Sequence, residues 1–176
     1  MTANATKMTF DVTSRRLDAH GSQADCKDAH ITLDTDLAGR RDAFNPAELL
    51  LAALSACMIK GIERVTPLLK FELHSVEVRV NGVRQDVPPK MESIRYEILV
   101  DTDESDQRLN LLHENVKKYG TVFNTVSPGT DLAGTMRRKS AHDAGRAQGP
   151  GPHRARDVRA GRWRAAPGGR AAGQER

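Results

Sequence analysis

An α+β fold, with mainly antiparallel strands around one long buried helix, is predicted by three observations. The segments read in the order β-β-β-α-β-β-α-β, strands and helices interspersed without strict βαβ alternation. The stretch from Leu49 to Ile59 carries no charge. Strand-like alternation of apolar and polar residues recurs on both sides of that stretch.

Residues 1–7 read as a loose terminus, and Met1 to Phe10 lack the apolar core of a signal peptide. Thr9 to Leu17 contains the β-formers Thr9, Phe10, Val12 and Thr13, then Arg15 and Arg16, before a turn near Gly21. A second strand is expected over Ser22 to Lys27, with Cys26 on it. His30 to Thr35 alternates with period two, the mark of a half-buried strand. Asp36 to Phe44 is the loop that leads into the central helix.

That helix begins at Asn45, a suitable N-cap, followed by Pro46 in the first turn. Leu and Ala are strong helix formers, and apolar residues fall on every face, so the helix is expected to be enclosed. The uncharged run is about half the roughly 20 residues that a bilayer span needs. Its end is expected near Thr66-Pro67, because the residue before a proline disfavours helical geometry.

Two long strands follow, with Val76, Val78 and Val80 on the first and Ile94, Tyr96, Ile98 and Val100 on the second. Their connection is expected through Arg84 to Pro89 rather than at Asn81-Gly82. Ser105 opens a second helix, with Leu109, Leu112 and Val116 on one stripe and His113, Glu114 and Lys117 on other faces. Gly120 is its stop. Val122 to Val126 and Leu132 to Met136 complete the chain as a short segment and a closing strand. One sheet covers a single side of an all-apolar helix, so a second subunit is the expected source of the remaining cover.

Charge divides the 176 residues into two parts. From Ser140 to Arg176 there are eight Arg against Asp143, Asp157 and Glu175, a net of +5. The whole chain nets +4, so residues 1–139 net −1. We therefore expect a folded domain over 1–139 and an Arg/Gly/Ala/Pro-rich, disordered tail over 140–176 that cannot bury enough surface to fold. Nucleic acid is not an expected partner, except through that basic tail. The body carries no basic stripe.

Cys26 and Cys57 are the two cysteines, too few for a disulfide framework and without the spacing of a zinc site. A reducing cytoplasm is the expected compartment. No cofactor or metal is expected, and Asp101 to Asp106 lacks the spacing of a calcium loop. Cys57 sits mid-helix, where the amino-terminal dipole gives no help. On composition alone it is an inert core thiol. To react it needs a cation from another element to stabilise the thiolate, and Arg15, Arg16, Arg40, Arg41 and Arg84 are the candidates.

The stretch Asn45-Pro46-Ala47-Glu48-Leu49-Leu50-Leu51-Ala52-Ala53-Leu54-Ser55-Ala56-Cys57 resembles the central-helix signature of the OsmC/Ohr family of thiol peroxidases. His30 to Asp34 and Lys118 to Thr125 resemble the strand before that helix and the segment carrying the family's second cysteine; the likeness runs over residues 8–138. It implies an OsmC-like fold, an intertwined homodimer with a site at each subunit interface, and reduction of organic hydroperoxides by two cysteines that an arginine and a glutamate organise. The first cysteine maps onto Cys57. Gly120 stands where the second is expected, so either Cys26 or an external thiol or lipoyl-type reductant must resolve the oxidised Cys57. Arg15 and Arg16 lie in the first hairpin, as the family's arginine does. Glu48 stands one residue later than the family's glutamate, which is Ala47 here. Nine residues before Cys57, it is about half a turn out of phase with the thiol, and helix-start capping is its other reading. A non-catalytic dimer that binds an apolar small molecule in its interface pocket is the rival function.

Overall fold

The computed structural model describes residues 7–144. Two three-stranded sheets flank the long helix in sequence. The first runs β1 (Thr13–Arg16), β2 (Gly21–Cys26), β3 (Ala29–Asp34), antiparallel throughout. The helix α1 (Pro46–Leu69) follows. The second sheet contains β4 (Ser75–Asp86) and β5 (Pro89–Asp101) as an antiparallel hairpin, with β6 (Asp131–Arg138) added parallel to β5. Between β5 and β6 lie α2 (Asp106–Tyr119) and α3 (Thr121–Val126), the latter ending in a 3-10 turn over Ser127–Gly129. The α+β class holds. Residues 1–6 of the expected loose terminus (1–7) and residues 145–176 of the expected tail (140–176) lie outside the described residues, and Ala141–Ala144 forms one helical turn.

The start of α1 is fixed by a capping box. Asn45 Oδ1 accepts from Glu48 N at 3.0 Å, and Glu48 Oε2 accepts from Asn45 N at 2.9 Å. The helix does not stop at Thr66. It runs through Pro67 to Leu69, because a proline in the last turn removes only one helix hydrogen bond and its fixed φ suits the helix. Lys70 then turns left-handed (φ 48), and Lys70 N and Phe71 N donate to the carbonyls of Pro67 and Thr66. Those two bonds cap the end that the pre-proline rule placed earlier.

Leu54, Met58, Ile62 and Val65 form one buried stripe on α1. They meet Leu109, Leu112 and Val116 of α2 and Ile94, Tyr96, Ile98 and Val100 of β5 in a single core. Two glycines let α1 and α2 approach. A Cβ on Gly61 would lie 3.4 Å from the Val116 side chain, and one on Gly120 would lie 3.6 Å from Cys57 Sγ. Since Gly61 follows Cys57 by one turn and Gly120 follows Val116 by one turn, the helices run antiparallel along this seam.

Enclosure of α1 on all faces is not achieved by one chain. Ala53, Ala56 and Ile59 are exposed, and Leu68 is 76% exposed. In the first sheet Ser22 and Ala24 of the central strand are buried, while β1 is exposed throughout and Ile31 is 49% exposed. This sheet contributes no residue to that core and makes no substantial packing contact with the helices or the second sheet. What holds it in place is the connection between β3 and α1. Asp34 N donates to Phe44 O at 2.9 Å, and the buried Asp34 carboxylate accepts from Asp36 N (3.1 Å) and Arg40 N (2.9 Å).

His113 is the other departure. It is buried, not on an outer face, because it follows Leu109 by four residues and so shares the core stripe. Its Nε2 lies 2.8 Å from the Tyr96 hydroxyl, which satisfies both buried groups. Burial holds the His113 imidazole below the usual histidine range, with nearby Lys117 adding to the effect, and pushes the Tyr96 phenol up to about 12.

Candidate functional site

Cys57 projects from the middle of α1, half-buried, with its sulfur against the backbone of Gly120. Gly120 joins α2 to α3, and Phe123 folds over the junction. A Cβ at Gly120 would also meet Phe123 Cβ and Val116 O at 3.0 Å each, so the turn has closed tightly around the glycine. The Phe123 ring in turn packs edge-on against Tyr96, centroids 6.2 Å apart. The buried Tyr96–His113 pair therefore stands one layer behind the thiol. Sequence periodicity marks Tyr96 only as a strand residue and puts His113 on an outer face; the i, i+4 relation of His113 to Leu109 is the signal that places it in the core.

Glu48 is spent elsewhere. Its carboxylate closes the capping box at Asn45, about 13 Å along the helix axis from Cys57, and it is exposed. None of Arg15, Arg16 and Cys26 makes a hydrogen bond to the thiol in one chain, since all three belong to the first sheet.

Register and alternation separate those three. Arg16 pairs with Ser22 and Ser22 with Leu33; Ala24 pairs with Ile31 and Cys26 with Ala29. Alternate residues share a face, so Arg16 lies on the same face as Ser22, Ala24, Cys26, Ala29, Ile31 and Leu33. That face is apolar, and around Cys26, Val12 and Ile31 it dips into a cavity of about 160 Å³. Arg15 lies on the opposite face among Thr13, Gln23, Asp25, His30 and Thr32, where its guanidinium bonds Asp25 at 2.8 Å.

The other arginine candidates are similarly occupied. Arg40 grips Asp42 with two bonds of 2.9 and 2.7 Å and lies over Gly21; Arg84 pairs with Asp86 at 2.5 Å. Asp42 beside it, with Asp18 and Asp34 further off, holds the Arg40 guanidinium above its ordinary range. The side chains of Arg16 and Arg41 alone of the five make no ion pair or hydrogen bond among the described residues. Only Arg16 of those two lies on the apolar face.

Among the described residues no group of three His, Cys, Asp or Glu is placed to hold a metal ion. No helix there is long and apolar enough to cross a membrane. What the arrangement offers chemically is a thiol on an apolar helix, with a glycine backbone against it and one open side.

Residues 38–133 match the family model described as OsmC-like protein. The sequence matches no curated protein. Among solved structures, the chain is similar to an OsmC-like protein from Mycoplasma pneumoniae, with a TM-score of 0.71 at 18% identity, covering 77% of this chain and 100% of that one. An organic hydroperoxide resistance protein OsmC from Legionella pneumophila gives 0.60 at 18% identity, over 74% of this chain and 98% of the other. An organic hydroperoxide resistance protein from Elizabethkingia anophelis gives 0.62 at 15% identity, over 77% and 99%. At such identities the likeness is one of fold.

Proposed function

Because this chain belongs to the OsmC-like protein family, we propose that it is a thiol-dependent peroxidase that reduces organic hydroperoxides through Cys57. The observation that carries the reading is the position of that thiol. It is half-buried within the uncharged Leu49–Ile59 stretch of α1, with open space on the side where the helix is uncovered. Two of the similar structures are named as organic hydroperoxide resistance proteins.

In this reading the working unit is a homodimer in the reducing cytoplasm. The bare face of the first sheet of one subunit covers the bare side of α1 in the other along Ala53 to Cys57, and leaves Lys60 and Arg64 at its rim. Apolar area removed from water is worth about 25 cal/mol per Å², so two such faces have a strong drive to meet. The same docking brings Arg16, which has no partner among the described residues of its own chain, over a neighbour's Cys57. Its guanidinium stabilises the thiolate and orients the peroxide. The thiolate attacks the outer oxygen of the hydroperoxide, the O–O bond breaks, and the alkoxide leaves and takes a proton as the alcohol. Cys57 is left as a sulfenic acid. The surrounding leucines and alanines favour an apolar peroxide.

Gly120 favours resolution by a thiol from outside the site, because the position against Sγ carries no side chain. A second reading, an OsmC-fold dimer that binds an apolar small molecule without turnover, draws on the engagement of Glu48 in the helix cap. The two are separated by treating the reduced protein with stoichiometric cumene hydroperoxide and trapping sulfenic acid at Cys57 by mass spectrometry. Trapping within minutes is expected. A Cys57 that remains a free thiol would overturn the peroxidase reading and leave the binding one.

A further inference from the structure

The surface beside Cys57 carries positive charge that the chain does not neutralise. On α1, Lys60 and Arg64 follow Cys57 by three and seven residues, which at about 100° per residue sets them within about 60° of the thiol's own line. Both are exposed. Across the seam, Tyr119 immediately precedes Gly120, whose missing Cβ would touch Sγ. The Arg64 guanidinium lies 6.0 Å from the centroid of the Tyr119 ring, and the Lys118 ammonium lies 5.2 Å from it. The ring thus gathers two cations that would otherwise repel each other.

None of Lys60, Arg64 and Lys118 has a carboxylate partner among the described residues, whereas Lys117 pairs with Glu114 at 2.5 Å. Glu63 lies about 100° round the helix from Arg64; it is three residues from Lys60 but makes no ion pair with it among the described residues. Two unneutralised cations at one exposed ring, with Lys60 on the turn of α1 between Arg64 and Cys57, form a site for an anion. Along the helix axis Arg64 is about 10 Å from Cys57. A tripeptide-sized molecule, extended, spans about the same length.

We propose that Arg64 and Lys118 at the Tyr119 ring, with Lys60 one turn nearer Cys57 on α1, dock the carboxylate of a small anionic thiol that reduces the oxidised Cys57. The inference rests on the peroxidase reading for the oxidised state of Cys57. With the carboxylate held, the thiolate of the same molecule attacks the sulfenic sulfur. The S–O bond breaks, hydroxide leaves and is protonated to water, and a Cys57–thiol mixed disulfide forms. A second molecule of the thiol then attacks the sulfur of the bound one, which frees the Cys57 thiol and leaves as a symmetrical disulfide. The two electrons that reduce the peroxide come from two thiols in solution.

The test uses the full chain carrying Cys26→Ser, reduced, so that peroxide is not involved. Two disulfide reagents are compared at Cys57: dithiobis(nitrobenzoate), with two carboxylates, and neutral dithiodipyridine. The neutral reagent reports the thiol itself, so the ratio of the two rates isolates the docking of negative charge. Arg64→Gln and Lys118→Gln are expected to lower that ratio about threefold each, and the pair about tenfold, with the difference from wild type fading as salt is raised. A ratio that stays within about twofold of wild type in the double variant overturns the docking site, even where cumene hydroperoxide does oxidise Cys57. If the ratio falls as expected but no sulfenic acid forms at Cys57, the site for an anionic thiol reagent stands and the peroxidase reading is what fails.

Discussion

Gly120 stands against Cys57: a Cβ built on the glycine would lie 3.6 Å from the sulfur. In a disulfide, a Cβ lies about 3 Å from the partner's sulfur, so the two backbones are nearly close enough to be bridged. Gly120→Cys is therefore expected to form an internal disulfide between Cys57 and the introduced thiol when treated with one equivalent of cumene hydroperoxide. The added Cβ meets Phe123 and the Val116 carbonyl, which is expected to cost about 1–3 kcal/mol of stability in the reduced form. Thiol counting and intact mass check it: two free thiols persisting at these positions after oxidation would show that the seam cannot close.

Arg15 and Arg16 are adjacent in sequence and opposite in the sheet. Arg16→Gln is expected to slow the oxidation of Cys57 by about 10²-fold, the order seen when one donor to a developing charge is removed. Arg15→Gln breaks only an exposed pair with Asp25 and is expected to cost less than about 1 kcal/mol of stability. Stopped-flow consumption of hydroperoxide by the two variants compares them directly. An Arg16 variant as fast as wild type would remove this residue from the site.

His113 sets a pH dependence whose sign follows from its burial. Its folded-state value lies below the ordinary histidine range, so the folded protein binds fewer protons there than the unfolded chain. The associated stability is fully present above the unfolded value of about 6.5 and declines as pH falls below it. The melting temperature is expected to drop between pH 7.5 and 5.5, and His113→Gln to flatten that slope while lowering the melting temperature at neutral pH. Thermal melts across this range measure it; an unchanged slope in the variant would assign the acid sensitivity to other groups.

Much of the scaffold was legible because its signals were local. Asn45 and Ser105 are helix caps whose side chains find the amides three residues on, and Val76 to Val80 alternates as a half-buried strand must. The end of α1 was not legible, because the two bonds that offset Pro67 come from Lys70 and Phe71, whose turn only the folded chain defines. Nor was the burial of His113, whose partner Tyr96 is 17 residues away on another element. Cys57 was singled out by resemblance to a family, not by its own pattern. The register of β1 on β2, which puts Arg15 and Arg16 on opposite faces, depends on the whole hairpin.

In the proposed dimer, the strap from Asp34 to Phe44 has a consequence for association. Its hydrogen bonds fix the hairpin relative to the start of α1 while the chain folds, so the freedom of that segment is already lost before two chains meet. Docking then orders side chains rather than a swinging arm, and each ordered residue avoided keeps about 1–2 kcal/mol in the affinity. A substitution such as Asp34→Ala, far from any sulfur, would be felt as a weaker dimer before it was felt as a weaker fold.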